Sequence, residues 1–334
     1  MASTMLKALN QSLHDALEED EKVVLLGEDI GTLGGVFRVT DGLKAKFGEH
    51  RVVDTPLAES GIVGTAIGLA YRGYRPVVEI QFDGFTYPAF DQLVSQLAKL
   101  HYRSRGRVDM PVVVRIPYGG GIGSPEHHSE SPEAYFSHTA GLRVFAPSSV
   151  QDAYTMLRQA IACDDPVIFF EPKRRYHEKA ELAPGQWQPE ASPRAQVIHA
   201  GTDATLVGYG PTSYVVKEAA LAAEDEGVSI EAIDLRCLDP LDLDTVAASV
   251  RRTGKLIVVH EASRTSGLGA EICSSITESC FDYLQHAPLR VTGFDVPYPP
   301  SRLEHHHLPD LDRVMEAVDT VMAHHESGQG AARS

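Results

Sequence analysis

Short apolar runs recur along this chain with helical stretches between them, and this alternation constrains the fold more than any other feature. The strand-like runs fall at Val23–Leu26, Arg51–Val53, Val77–Ile80, Val112–Ile116, Arg143–Phe145 and Val167–Phe170. Helical stretches separate several of them, at Ala58–Tyr71, Pro88–Arg103 and Val150–Ala162. A first helix from about Ser3 to Glu19 sets Met5, Leu6, Leu9, Leu13, Ala16 and Leu17 on one face. Apolar strands that alternate with helices predict a mostly parallel sheet covered on both sides.

The pattern then breaks and restarts. Residues 180–192 carry no periodicity, and they end at the third proline of the stretch, Pro193. Beyond it come strands at Ala204–Val207, Ser229–Leu235, Leu256–Val259 and Leu289–Phe294. Helices alternate with them at Ser213–Glu226, Leu243–Arg252, Gly269–Leu284 and Leu311–His324. The expected fold class is therefore α/β, with two doubly wound domains at 1–185 and 200–326. A linker is expected at 186–199 and a flexible tail at 327–334.

Charge and cysteines narrow the function. The net charge of −16 argues against a nucleic-acid partner. Residues 1–199 hold 20 Lys and Arg against 25 Asp and Glu, while residues 200–334 hold 10 against 21. The second domain is thus the acidic one, which reads either as solubility or as attraction to a basic partner. No apolar run approaches a membrane span, and no signal or transit segment is seen. Cys163, Cys237, Cys273 and Cys280 have no metal-type spacing and read as reduced residues of a cytoplasmic protein. Neither Gly-x-Gly-x-x-Gly nor a phosphate-loop pattern occurs, so an ordinary dehydrogenase or ATPase is disfavoured.

Four segments carry candidate chemistry. Glu59 opens the Ala58–Tyr71 helix after the reversal at Pro56. A carboxylate there is either a helix-capping acid or an acid tuned by burial and by the helix end. Gln81, Phe82, Phe85 and Tyr87 leave the end of a strand, where ligands of parallel sheets bind, and their rings can stack on a heterocycle or fill a core. Residues 117–133 form a glycine-rich loop with His127 and His128, either proton carriers or surface residues. Glu28, at the end of the first strand, reads as an acid behind Glu59 or as a turn residue. His305-His306-His307 reads as an ordinary turn rather than a metal tract.

These segments in this order resemble the β subunit of the heterotetrameric thiamine-diphosphate-dependent 2-oxo acid dehydrogenases, relatives of transketolase. The resemblance runs from Val23 to about Val321. It is carried by Leu25-Leu26-Gly27-Glu28-Asp29, Asp54-Thr55-Pro56 through Gly61, Glu79-Ile80-Gln81-Phe82, and His128-Ser129 with Ser131-Pro132-Glu133-Ala134. Phe170-Glu171-Pro172-Lys173, Ile233-Asp234-Leu235-Arg236 and His260-Glu261-Ala262 complete it.

The resemblance implies roles by position. Glu59 matches the acid that hydrogen-bonds N1′ of the cofactor's aminopyrimidine and so promotes the imino tautomer that deprotonates the thiazolium. Leu57 and Phe85 match positions packed against the pyrimidine, and Gln81 a nearby polar contact. His128 matches the histidine that handles substrate and passes the acyl group to lipoamide, whereas His127 departs from the aromatic or small residue of relatives. The family's diphosphate and Mg²⁺ motif, Gly-Asp-Gly followed by paired Asn, is absent here and is expected on an α subunit. An α2β2 assembly is implied, with an acyltransferase core docking on the second domain. Some relatives bind a monovalent cation such as K⁺, and the corresponding positions fall near Val112, Val113, Cys163 and Asp165, an imperfect match.

For substrate, Gln81-Phe82 with Pro88 through Gln92, and Ser131-Pro132-Glu133-Ala134 with Phe169 through Lys173, look closer to the branched-chain enzyme, with pyruvate as the alternative. Two readings of other kinds remain open. A non-catalytic scaffold is argued against by Glu59, Phe85 and His128 together. A one-chain thiamine synthase is argued against by the missing diphosphate motif.

Overall fold

The computed structural model describes residues 2–189 and 192–329. The described residues divide into two compact units: residues 2–122, 127–189, 192–193 and 237–240 form the first, and residues 123–126, 194–236 and 241–329 the second.

The first unit is built on a seven-stranded sheet. In chain order its strands are β2 (Val23–Gly27), β3 (Val52–Asp54), β4 (Arg75–Glu79), β5 (Val113–Tyr118), β6 (Arg143–Phe145), β7 (Val167–Pro172) and β12 (Cys237–Asp239), while β1 (Ala2–Thr4) pairs separately with β8 (Lys179–Glu181). Across the sheet the order is β12-β6-β7-β5-β4-β2-β3, parallel throughout except for β12. The chain leaves β2 for β3 on one side, then returns to β4 on the other. The carboxyl ends of β2 and β4 are therefore where the strand order reverses, the place at which α/β sheets open a crevice.

Helices Met5–Glu19 and Val150–Ala162 pack on one face of this sheet. Met5, Leu9, Leu13, Met156 and Leu157 close its core. Thr4 and Ser149 cap the two helices by accepting the amides of Lys7 and Asp152.

The second unit carries a five-stranded sheet of β9 (Gln196–His199), β10 (Ala204–Gly208), β11 (Ile230–Asp234), β13 (Leu256–Ser263) and β14 (Leu289–Gly293). Its order is β14-β13-β10-β11-β9, with only β9 antiparallel. Here the strand order reverses between β10 and β13. The fold class expected from sequence, two doubly wound and mostly parallel α/β domains, is the one observed.

Four local readings change. The stretch Pro88–Arg103 is not one helix. It winds as a 3₁₀ segment Asp83–Ala89, a π segment Gln92–Gln96, a 3₁₀ turn Leu97–Lys99 and a short α-helix Leu100–Arg103. Pro88 lies inside the first of these and cannot donate to a regular ladder. Residues 196–199, expected in the linker, form β9. Residues 237–240, inside the expected second domain, return to edge the first sheet. The final helix, Leu311–Gln329, runs into the expected tail, and residues 330–334 lie outside the described residues.

Candidate active site

Glu59 is the first residue of the Glu59–Tyr71 helix and is only 6 % exposed. No side chain caps this helix, so its first-turn amides are left for what lies ahead of them. Glu28, just past β2, is buried close by. Its carboxylate accepts from the Ala58 amide, and its Oε1 has no hydrogen-bond partner among the described residues. Burial, and then the negative charge of Glu59, push the Glu28 carboxyl above its ordinary value. Two acids thus share a buried spot at the reversal point of the sheet. The reading of Glu59 as a simple cap loses ground, because a capping acid has no need of a second buried acid beside it.

Gln81 leaves β4 across the same gap. Its Nε2 donates to the Glu28 carbonyl at 3.3 Å and to Asp29 Oδ2 at 3.2 Å, which fixes the amide against the end of β2. Leu57, between Pro56 and Glu59, is 79 % exposed. A leucine so bare is apolar surface available to a partner or ligand.

The next residues along from Gln81 gather the aromatic cluster. Phe82 stacks on the His128 ring with centroids 3.9 Å apart and planes 9° apart. Phe85 meets that ring edge-on at 5.2 Å, and His127 packs against both Phe85 and His128. The Nδ1 atom of His128 lies 2.8 Å from the His127 carbonyl. A carbonyl only accepts, so Nδ1 carries the proton and Nε2 is the nitrogen free to take or release one. The structure therefore brings His128, Phe85 and His127 together, and joins Gln81 to Glu28 and Glu28 to Glu59. The peptide from Gln81 to Phe82 links the two groups.

Sequence reasoning missed what stands behind them. Arg115 on β5 is fully buried between Glu79 on β4 and Glu171 on β7, bonding them at 2.6 Å each. The Tyr176 hydroxyl donates to Glu171 at 2.6 Å. Burial pushes Glu79 above its ordinary value, and the Arg115 charge opposes that shift. The signal was in plain view: Arg115, Glu79 and Glu171 are charged residues inside otherwise apolar strands, and a strand buried on both faces admits such residues only as partners.

The four cation candidates already have partners. Asp165 is bound by Arg143 through two nitrogens at 2.7 and 2.9 Å, and the Cys163 carbonyl accepts from Arg75 at 3.1 Å. Val112 and Val113 are spent in the sheet, Val112 giving its carbonyl to the Val167 amide. Two guanidinium groups thus occupy the donors a cation would need. Among the described residues no group of three or more His, Cys, Asp and Glu could hold a metal ion, His305–His307 included.

Comparisons with known proteins agree with this architecture. The transketolase pyrimidine-binding domain model matches residues 2–179, and the transketolase C-terminal domain model matches residues 194–314. The chain is 55 % identical over 320 residues to a pyruvate dehydrogenase E1 component subunit beta of Leifsonia xyli subsp. xyli, covering 96 % of this chain and 95 % of that one. It is 53 % identical to the 3-methyl-2-oxobutanoate dehydrogenase subunit beta of Mycobacterium tuberculosis, covering 96 % and 92 %. It is 44 % identical to the 2-oxoisovalerate dehydrogenase subunit beta of Pseudomonas aeruginosa, covering 96 % and 95 %. A solved structure, a split-gene transketolase described as an inactive beta4 tetramer, superposes with a TM-score of 0.76 at 22 % identity over 96 % of this chain and 98 % of that one, which speaks to fold alone. With two domain models in the right order and relatives above half identity end to end, the chain belongs to the family of β subunits of the pyruvate and branched-chain 2-oxo acid dehydrogenase E1 components.

Proposed function

We propose that this chain supplies the pyrimidine-binding half of a thiamine-diphosphate site and acts, with an α subunit, in decarboxylating branched-chain 2-oxo acids and passing the acyl group to lipoamide. The observation that carries the reading is the buried pair of Glu59 and Glu28 at the sheet's reversal point. Two adjacent buried acids are costly for a purely structural protein and useful for one that holds a proton in place. This weighs against a non-catalytic scaffold.

The residues fit one half of the cofactor. Glu59 would hydrogen-bond the pyrimidine ring nitrogen, sharing a proton with it, Glu28 would sit behind it, and Leu57 and Phe85 would offer apolar surface to the ring's faces. When bound, the cofactor supplies the electron sink for the carbon that loses CO2. Glu59 sets the protonation of the ring nitrogen it touches. His128, with Nδ1 on the His127 carbonyl, presents Nε2 for the proton transfer that accompanies acyl passage to the lipoyl sulfur. The diphosphate and Mg²⁺ find no matching set here and are assigned to the α subunit in an α2β2 assembly. A K⁺ ion near Val112, Val113, Cys163 and Asp165 would share its oxygens with Arg75 and Arg143.

The acidic second unit is assigned the docking of a basic module of the acyltransferase core. All four cysteines are free, which supports a reducing, cytoplasmic setting. Pyruvate is the second reading, favoured by the 55 % identical relative.

The test is reconstitution with the α subunit followed by assay on both substrates. Branched 2-oxo acids should be preferred over pyruvate by about tenfold or more in kcat/KM. A preference for pyruvate would select the second reading, and no decarboxylation of either acid by an assembled complex would restore the scaffold.

A further inference from the structure

The glycine-rich loop that carries His128 has little reason to hold one shape. Gly119, Gly121 and Gly123 all adopt left-handed backbone, with φ of 82°, 89° and 73°. Stacking of the His128 ring on Phe82, 3.9 Å between centroids, nonetheless requires that the loop be held close. Something outside the loop must fix it.

The contacts that do so converge on one ion pair. Lys173, just past β7, and Asp83, at the start of the 3₁₀ segment, are both fully buried and lie 2.6 Å apart. Lys173 Nζ also donates to the His128 carbonyl at 2.6 Å and lies 5.6 Å from the centre of the Phe82 ring. The other Asp83 oxygen accepts the Glu130 amide at 2.8 Å. The pair therefore grips the loop on either side of Ser129. Gly84 completes the seat, since a Cβ there would meet the His127 carbonyl at 2.3 Å.

We propose that Lys173 and Asp83 are positioning residues whose buried ion pair holds His128 at its working place, an assignment that rests on the role given to His128 above. The Thr86 hydroxyl donates to the Asp83 carbonyl at 2.7 Å and locks the turn that presents the carboxylate. A buried ion pair is poor value as a source of stability, because desolvation offsets its attraction. Its use is geometric: a short charge-assisted contact fixes a main-chain atom that a glycine loop would leave free. Misplacing a reacting group by about an ångström can cost on the order of a hundredfold in rate. The pair touches neither substrate nor cofactor in this account and acts only through the loop.

The experiment uses the assembled complex with the variants Lys173→Gln, Asp83→Asn and His128→Ala. Each is assayed twice, once with an artificial electron acceptor that bypasses lipoamide and once with the lipoyl domain. Lys173→Gln and Asp83→Asn should each lower the lipoyl-dependent rate by about ten- to a hundredfold. The artificial-acceptor rate should fall no more than about threefold, and Lys173→Gln should add nothing further in the His128→Ala background. If Lys173→Gln fails to assemble, Asp83→Asn, which keeps the side chain's size, carries the same expectation alone. An equal fall in both assays, or a normal lipoyl-dependent rate in an assembled variant, would overturn the inference. A normal lipoyl-dependent rate in His128→Ala would instead overturn the role of His128 on which it stands.

Discussion

The two units reverse their strand order in the same way, and they fill the reversal point with different chemistry. In the first, the ends of β2 and β4 hold Glu28, Gln81 and, close by, Glu59. In the second, the ends of β10 and β13 hold His260, which is fully buried, with Tyr209 stacked near it at 6.1 Å. Added Cβ atoms at Gly267 and Gly269 would both meet its ring at 2.7 Å. Burial, with the positive charges of Arg290 and Arg264 adding to it, lowers its pKa to about 4 and keeps it neutral. Sheet topology opens a crevice in either unit, but in the first two buried carboxylates, Glu28 and Glu59, act on each other, whereas in the second a neutral imidazole holds that place with buried Glu261 next to it in sequence. A fold-level rule about where ligands bind thus selects a place, and the side chains decide whether that place does chemistry.

The sharpest way to break the comparison is to change both places alike. Glu59→Gln should lower decarboxylation by about 10²–10⁴-fold with assembly intact, since the amide cannot replace a tuned acid. His260→Asn should leave kcat within about twofold, because in this account it touches no reactant. A larger catalytic loss in the second variant would erase the distinction.

Stability should separate the units as well. Arg115→Met leaves Glu79 and Glu171 buried without their cation and should cost about 3–5 kcal/mol in denaturant unfolding. A loss below 1 kcal/mol would mean that the carboxylates find other partners.

The pH dependence has opposite signs in the two units. His260 has an ordinary value of 6.5 and a folded value of about 4, so between these the unfolded chain binds more protons. Its contribution is intact above pH 6.5 and is lost as pH falls towards 4. Asp83 is raised from 3.8 to about 6, first by burial, with Lys173 opposing. The folded state then binds more protons, and its contribution falls as pH rises from 3.8 to 6. Melting measured from pH 7 to pH 5 should therefore drop less steeply in His260→Asn and more steeply in Asp83→Asn. Unchanged slopes would show that neither group titrates as described.

The smallest effect concerns the acidic surface. Docking of the acyltransferase core should weaken as salt rises, while the contact with the α subunit should respond less. Among the acids near the end of the second unit, Asp295 binds Thr265, Glu304 binds Tyr298, and Asp310 caps Arg313, so reversing them would also disturb local structure. Asp312 is exposed and is the cleaner choice for Asp312→Lys. Salt-insensitive docking would discard the electrostatic reading.

Much of this was legible from the chain. The alternation of apolar runs with helices is a signal of period and length, and it located the parallel strands and the long helices of both units. It could not find β9 or β12, because an edge strand is only partly apolar and its partner is distant in sequence. It misjudged Pro88–Arg103, where one proline and a π turn break a pattern that is otherwise helical. At the site, Glu59 and His128 stood out as polar residues in special backbone settings. The pairings of Arg115 with Glu79 and Glu171, and of Lys173 with Asp83, did not stand out. Each partner lies on a different strand or turn, and only the strand order makes them neighbours.

The central claim is that this chain holds half a cofactor site. Calorimetric titration of thiamine diphosphate and Mg²⁺ into the isolated chain, and into its complex with the α subunit, tests it most directly. No tight binding to the chain alone is expected, and tight, Mg²⁺-dependent binding to the complex should be weakened by Glu59→Gln. Tight, Mg²⁺-dependent binding to the isolated chain would contradict it.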